Sequence, residues 1–294
     1  MFQLYSIEGN RQKLDGGSMF GNAPKALWEK WFIPDEKNRI ELACRSLLLV
    51  SPEKKILCET GIGAFFPPDL AARYGVEEPS SHKLIENLKA LGINHQEIDF
   101  VVLSHLHFDH AGGLLPSYEE IKKGNSELLF PNAQYITSKK AFERALNPHR
   151  RDQASFIRDL VEKLESSCRL LLIDSNEDAH PLGKNIEFFE TNGHTPGQLH
   201  LVLKENENKV VFCGDLIPGI AWVNPSISMG YDRFAELLLD EKKTFLEKNL
   251  HEKTLLFFTH DPDTCAAQYE EEGKKIKIKN PLKKMENFKL TSLL

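Results

Sequence analysis

The sequence predicts an α/β (α+β) protein in which two mixed sheets pack on each other with helices outside. Two observations carry this. Predicted strands come in runs with helices inserted between the runs, whereas a doubly wound parallel sheet needs strict alternation. In addition, 41% of the 294 residues are hydrophobic and 27% charged, the ordinary balance of a soluble protein with a sizeable core. No repeat, low-complexity tract or linker divides the chain, so residues 1–294 read as a single domain.

The elements follow in order. "ELACRSLLLVS" (41–51) and "KKILCET" (54–60) read as consecutive strands joined by a turn at Pro52 and Glu53. In "SSHKLIENLKALG", Leu84, Ile85, Leu88 and Leu91 share one helical face, with Ser80 or Ser81 to cap the start and Gly92 the end. "IDFVVLS" (98–104) is an apolar run of strand length. Strand "AQYIT", a helix over 138–146 and a longer helix over "QASFIRDLVEKLES" come next. Strands "RLLLID", "IEFFET", "LHLVLK" and "KVVFCGD" precede a helix over "YDRFAELLLDEKKTFLEKNL" and a strand "TLLFFTH". The basic stretch "GKKIKIKNPLKK" reads as a solvated edge strand, where lysines discourage further pairing.

The bulk properties exclude several classes. A net charge of −6 argues against nucleic acid as a partner. No apolar run approaches the ~20 residues of a membrane span, and "MFQLYSIEGNRQKLDGG" does not read as a secretory leader. Five scattered cysteines, odd in number and without a CxxC pair, argue against a disulfide framework. A cytoplasmic location is therefore expected.

The chemistry concentrates in "LSHLHFDHAGG" (103–113), directly after an apolar strand. On a helix of ~3.6 residues per turn, His105 and His107 would point about 200° apart. At a strand end the backbone can turn so that His105, His107, Asp109 and His110 converge, and Gly112 and Gly113 let the chain bend around them. Imidazole and carboxylate together suit zinc, and also manganese, cobalt or iron. His194 follows strand "IEFFET", Asp215 ends "KVVFCGD", and His260 ends "TLLFFTH".

In that order, HxHxDH, GH, GD and TH, the pattern resembles the metallo-β-lactamase fold hydrolases over roughly residues 42–260. "SHLHFDHAGG" is similar to the motif of the quorum-quenching N-acyl homoserine lactonases. "LDGGSMFGNAPKALWEKWFIPDEKNRIELACRSLLL" and "GDLIPGIAWVNPSISMGYD" resemble one branch of that group. The resemblance implies an αββα sandwich with two divalent ions, zinc foremost, at one edge of the sheets. His105, His107 and His194 would hold one ion, Asp109, His110 and His260 the other, and Asp215 would bridge them.

The implied reaction is lactone opening by a hydroxide shared between the ions, with Asp109 moving a proton. Lactonases of this group use a tyrosine soon after the bridging aspartate. Here Leu216, Ile217 and Pro218 stand there, so Tyr231 is the nearest substitute. Phe108 sits inside the ligand loop, and Met19, Phe20 and Trp222 are among the apolar residues, in segments that read as loops, that could wall an acyl pocket.

A thioester, phosphoester or organophosphate triester remains the alternative substrate. Phosphate would call for basic side chains, and Arg233 and Lys25 are the obvious loop candidates. An iron redox enzyme and a non-catalytic metal protein are the other classes left open. The expected partner is a small-molecule substrate, with a homodimer also open.

Overall fold

Alternation along the strands sets the layers. In the segments Arg45–Val50, Asn208–Phe212 and Lys253–Phe257, successive side chains enter different cores. Leu47, Leu49, Val210, Phe212, Leu255 and Phe257 meet in a central apolar cluster. Leu48 instead joins a second cluster, while Val211 and Leu256 join a third. A period of two with both faces buried is the signature of a sheet sandwiched between layers.

The computed structural model describes residues 1–174, 180–250, 253–272 and 275–293. Its strands are β1 (Gln3–Glu8), β2 (Gln12–Asp15), β3 (Arg39–Leu42), β4 (Arg45–Val50), β5 (Lys55–Cys58), β6 (Phe100–Val102), β7 (Gln134–Ser138) and β8 (Leu170–Ile173). They continue with β9 (Ile186–Thr191), β10 (Gln198–Glu205), β11 (Asn208–Phe212), β12 (Lys253–Phe257), β13 (Ala266–Glu272), β14 (Lys275–Leu282) and β15 (Phe288–Lys289). One sheet runs β15-β1-β4-β5-β6-β7-β8, the other β14-β13-β12-β11-β10-β9, and β2 pairs with β3 alone. Both large sheets are mixed: β5 through β8 are parallel neighbours, as are β11 and β12.

The helices are α1 (Gly16–Phe20), α2 (Lys25–Trp28), α3 (Pro68–Arg73), α4 (Lys83–Ala90), α5 (Phe108–Ala111), α6 (Tyr118–Lys122), α7 (Lys139–Leu146), α8 (Arg158–Ser166) and α9 (Ala235–Asn249). Leu84 and Leu88 of α4, Phe142 of α7 and Leu160 of α8 cover the outer face of the first sheet. Leu238, Phe245 and Leu246 of α9 cover the second. The expected αββα layering is what forms. Among the described residues no helix is long and apolar enough to cross a membrane.

Several boundaries differ from the sequence reading. The run 41–51 is not one strand: β3 leaves to pair with β2, and β4 starts afresh at Arg45. Between them, Ala43 N–H donates to His260 O (3.2 Å) and Arg45 N–H to Thr259 O (3.0 Å). Helix α4 starts without a serine cap, because Asn10 Oδ1 accepts from Lys83 N instead (3.1 Å). The helix expected over 153–166 splits into a 3₁₀ turn and α8, with Phe156 between them bridging to His107. The helix expected from Tyr231 begins only at Ala235. Its first residues are held by the preceding loop, Arg233 N–H donating to His194 O and Phe234 N–H to Gly193 O (3.0 and 2.8 Å). Segments read as loops around Met19, Trp28 and Trp222 are short helical turns. The basic C-terminal strand does form an edge, with Lys277 and Lys279 paired to Glu272 and Glu270. Its first two quoted residues, Gly273 and Lys274, lie outside the described residues.

One buried group in the second sheet has a direct consequence for stability. His200 is fully buried, stacked on Phe189, with Thr191 Oγ1 2.8 Å from Nε2 and Phe212 O 3.2 Å from Nδ1. Burial lowers its pKa from 6.5 to about 4 against the opposing bond to Phe212 O. The unfolded chain therefore binds more protons between those values. Stability from this group is complete above pH 6.5 and is lost as pH falls towards 4, by on the order of 3 kcal/mol. Urea unfolding of the native chain and His200→Gln at pH 7 and 4.5 checks this. The native chain should lose more stability than the variant over that interval, and equal losses would refute the assignment.

Candidate metal centre

The site forms where strand ends of both sheets meet. Beyond β6, Leu103 N–H still donates to Ile136 O (2.8 Å), and Ser104 O then accepts from Leu199 N–H (2.7 Å), stitching the first sheet to the second. His105 and His107 stand on the extended segment after this stitch. His107 precedes the single turn α5, which carries Phe108, Asp109 and His110. The cluster thus combines a strand end with one helical turn that the sequence reading did not foresee. Gly113 is required by closeness, since a Cβ there would lie 2.0 Å from Thr60 O. His194 lies between β9 and β10, where Gly193 lets the loop meet α9: a Cβ would fall 2.3 Å from Leu238 Cα. Asp215 and His260 follow the parallel pair β11 and β12, so both emerge at the same sheet edge.

All seven sequence-predicted ligands converge, and each is at most 8% exposed. In the first set, His107 Nδ1 is 3.0 Å from His105 Nε2 and 3.3 Å from His194 Nε2. In the second, His110 Nε2 and His260 Nε2 are 3.2 Å apart, and Asp109 Oδ2 is 3.6 Å from His260 Nε2. Asp215 faces both sets. Its Oδ2 is 3.2 Å from His194 Nε2, and its Oδ1 is 3.3 Å from the Nε2 atoms of His110 and of His260.

The donor set fits divalent ions. Ligand atoms ~2.0–2.1 Å from a tetrahedral zinc lie roughly 3.3 Å from one another, close to these separations. Three of the outer nitrogens are already engaged: His110 Nδ1 with Glu59 Oε2 (2.8 Å), His194 Nδ1 with Asp232 Oδ1 (2.9 Å), and His260 Nδ1 with Ala43 O (2.7 Å). With the outer nitrogens donating, the inner Nε2 atoms of neutral rings present lone pairs to one another, an arrangement that only a cation relieves. Protons could substitute at His110 and His260. Burial opposes their protonation, but Glu59 and Asp215 for His110, and Asp215 for His260, hold the pKa values well above the usual range. They cannot at His105 and His107, which burial and the neighbouring histidines push well below it. Buried Asp215 Oδ1 and His107 Nε2 make no hydrogen bond among the described residues.

A supporting layer was missed by sequence reasoning. Glu59, fully buried after β5, accepts from Ser104 Oγ through one oxygen and bonds His110 through the other. Asp232 orients His194 and also accepts from Met229 N–H (2.6 Å). Gln12 Nε2 donates to Asp109 Oδ2 (2.6 Å), and the Gln198 amide oxygen accepts from Asp215 and Leu216 N–H (3.0 Å each). A visible signal existed for Glu59, an acidic residue at the end of a strand beside β6. Gln12 and Asp232 carried none.

The other predicted residues divide. Phe108 packs beside the ligands under Phe66 and Tyr74, with ring centroids 5.4 and 4.6 Å away. Phe156, not singled out from sequence, sets its ring edge-on to His107 at 4.9 Å. Tyr231 is 37% exposed; burial of its phenol raises the pKa, and the Asp109 charge pushes it the same way. Met19, Phe20 and Trp222 are at most 2% exposed. Trp222 stacks on Phe20 at 4.6 Å and donates from Nε1 to Met19 O (2.9 Å), so the three form a packed backing. Lys25 is spent on Asn38 Oδ1 (2.7 Å), whereas Arg233 lies beside the first set, its charge felt at His107.

Comparison with known proteins agrees with this geometry. An N-acyl homoserine lactonase from Bacillus sp. is 24% identical over 269 residues, 88% of this chain and 93% of that protein. A crystal structure described as a probable metal-dependent hydrolase from Staphylococcus aureus superposes with a TM-score of 0.83 at 25% identity, covering 95% of this chain and 96% of its own. A dizinc quorum-quenching lactonase in complex with its product superposes with a TM-score of 0.72 at 22% identity, covering 94% and 92%. Residues 39–260 match the metallo-beta-lactamase superfamily, a span holding all seven converging histidines and aspartates, and the chain belongs to that superfamily.

Proposed function

We propose that this protein is a dinuclear metal-dependent hydrolase that opens the ring of a lactone, an N-acyl homoserine lactone being the leading substrate. The carrying observation is Asp215, whose two oxygens address two separate histidine sets at 3.2–3.3 Å. A structural zinc is held by four closed ligands and needs no such shared carboxylate. Similarity to the lactonase from Bacillus sp. along 88% of the chain supports the choice of substrate.

Two divalent ions, zinc foremost, supply a water of lowered pKa and a Lewis acid for the substrate carbonyl when bound. The chain's own residues do the rest. Asp109, held at Oδ2 by Gln12, takes a proton from the attacking water and returns it to the ring oxygen as the C–O bond breaks. The product is a hydroxy acid whose new carboxyl ionises and releases one proton. Tyr231 takes the place of the lactonase tyrosine and donates from its hydroxyl to the lactone carbonyl. Phe108 borders the reacting ring, while Met19, Phe20 and Trp222 back the acyl wall.

A substrate panel tests this reading with zinc- or manganese-loaded protein followed by proton release. Short- and long-chain acyl homoserine lactones should turn over well above an aryl ester, a thioester and an aryl phosphotriester. His107→Ala should abolish that turnover together with metal binding. Preference for the thioester or phosphotriester would transfer the function to that substrate class, and full activity in His107→Ala would discard the site.

A further inference from the structure

An open surface groove of about 650 Å³ is lined by residues drawn from 15–22 and 228–235, Asp232 and Arg233 among them, with Arg151 at its rim. Arg233 reaches into this wall with its side chain only 6% exposed. Nε and Nη2 donate to Tyr231 O (3.3 and 3.1 Å), and Nη2 also to Asp232 O (3.4 Å). Nη1 is buried and meets no hydrogen-bond partner among the described residues.

The carboxylates nearby give Arg233 no hydrogen bond, although Asp152 stands at ion-pair distance. Asp152 Oδ2 is 3.9 Å from Arg233 Nε, beyond hydrogen-bond distance, and is gripped by Nε and Nη2 of Arg144 (3.0 and 2.7 Å). Asp152 Oδ1 is also unpartnered, yet no hydrogen bond joins it to Arg233. Asp232 holds His194 and Met229 N–H, and Asp15 holds Ser18 N–H and Asn38. Arg151 adds a second cation at the exposed rim, anchored by Gly230 O (3.2 Å). Burial first and then the Arg151 charge lower the pKa of Arg233, with Arg144 adding to them and Asp152 and Asp232 opposing. A buried guanidinium donor left unmade is costly, and its planar fork suits two oxygens of one anion. The position is set by the site itself, because Arg233 N–H donates to His194 O at 3.0 Å.

We propose that Arg233 and Arg151 form an oxyanion subsite next to the first histidine set, taking a carboxylate or phosphoryl group carried by the substrate away from its scissile bond. This deepens the hydrolase reading and rests on it for the identity of the molecule that carries the anion. A favoured substrate would then be an acyl lactone whose chain ends in an acid rather than a methyl group.

Two measurements on zinc-loaded protein test it. The first compares two lactones that differ only in a terminal carboxylate or its methyl ester. The native enzyme should favour the acid at least about tenfold in kcat/KM, mainly through KM, and the ratio should fall towards one in Arg233→Met and Arg151→Met. Taking the ratio within each variant cancels any general loss of activity, and exposed Arg151 guards against a folding artefact. The second follows the melting temperature with added succinate or inorganic phosphate. A rise in the native protein that shrinks in both variants is expected, and the stronger anion tells carboxylate from phosphoryl. An equal rise in all three proteins, or an unchanged substrate ratio, would overturn the subsite. If no lactone is opened but the anion response depends on both arginines, the subsite stands and the lactonase reading falls.

Discussion

Asp215→Asn should, on the proposed dinuclear lactonase reading, fold, bind one ion in place of two, and hydrolyse lactones about 10³-fold more slowly, roughly 4 kcal/mol of lost transition-state stabilisation. Asn nearly matches Asp in shape, and the buried side chain sits on a turn already held by Gln198, so the backbone has no reason to move. The charge changes instead. Native Asp215 keeps a pKa well below the usual range: burial works against it, but His110, His194 and His260 outweigh the burial. An amide removes the carboxylate whose two oxygens face both histidine sets at 3.2–3.3 Å and turns an N–H donor towards nitrogens that present lone pairs. The second set is left with Asp109 as its sole carboxylate, and the first with three neutral imidazoles. Metal content by elemental analysis, read beside turnover, decides the matter. Two ions retained at native affinity would mean that Asp215 is not the shared ligand.

Much of the converging cluster was legible in sequence for a physical reason. His105, His194, Asp215 and His260 stand just beyond apolar strands, and in a sandwich those strand ends gather along one edge, as with Asp215 after β11 and His260 after β12. What holds the ligands was less legible, because it depends on pairings between distant segments. Gln12 reaches Asp109 from 97 residues away, and nothing in "NRQKLD" signals the contact. The break between β3 and β4 is invisible for the same reason, since Ala43 and Arg45 leave the strand to bond residues 260 and 259. Strand β1 pairs with β15 near the other end of the chain, where a two-residue strand carries no pattern of its own. The apolar residues near the site show a second limit. Met19, Phe20 and Trp222 read as loop residues that could wall a pocket, and their stacking and burial in the cluster under α9 depend on distant segments and leave no local signal.

Arg45→Met should have the largest effect on stability, through a residue outside both histidine sets. Arg45 is 1% exposed, and its Nη1 serves three carbonyls, Phe258 O (3.1 Å), Asp261 O (2.9 Å) and Thr264 O (3.4 Å), while Nε donates to Glu8 Oε1 (2.6 Å). Methionine fills much of the same volume but donates nothing, leaving buried acceptors unmet and Glu8 without its closest cation. Leaving several buried carbonyls without their donor costs about 3–5 kcal/mol in total. The loss is not confined to stability, because the same carbonyls shape the turn that presents His260, whose ring is fixed by Ala43 O. Urea unfolding of metal-free protein should show the full penalty. Metal titration should show weaker binding of the second ion than of the first, since the first set takes no ligand from this turn. Arg45→Lys separates the two effects: one ammonium keeps the charge beside Glu8 but lacks the guanidinium fork, so it should recover part of the stability and little of the second-ion affinity. Equal weakening of both ions in Arg45→Met would point to global loosening, and an unfolding free energy within about 1 kcal/mol of native would remove Arg45 from the account of how this site is held.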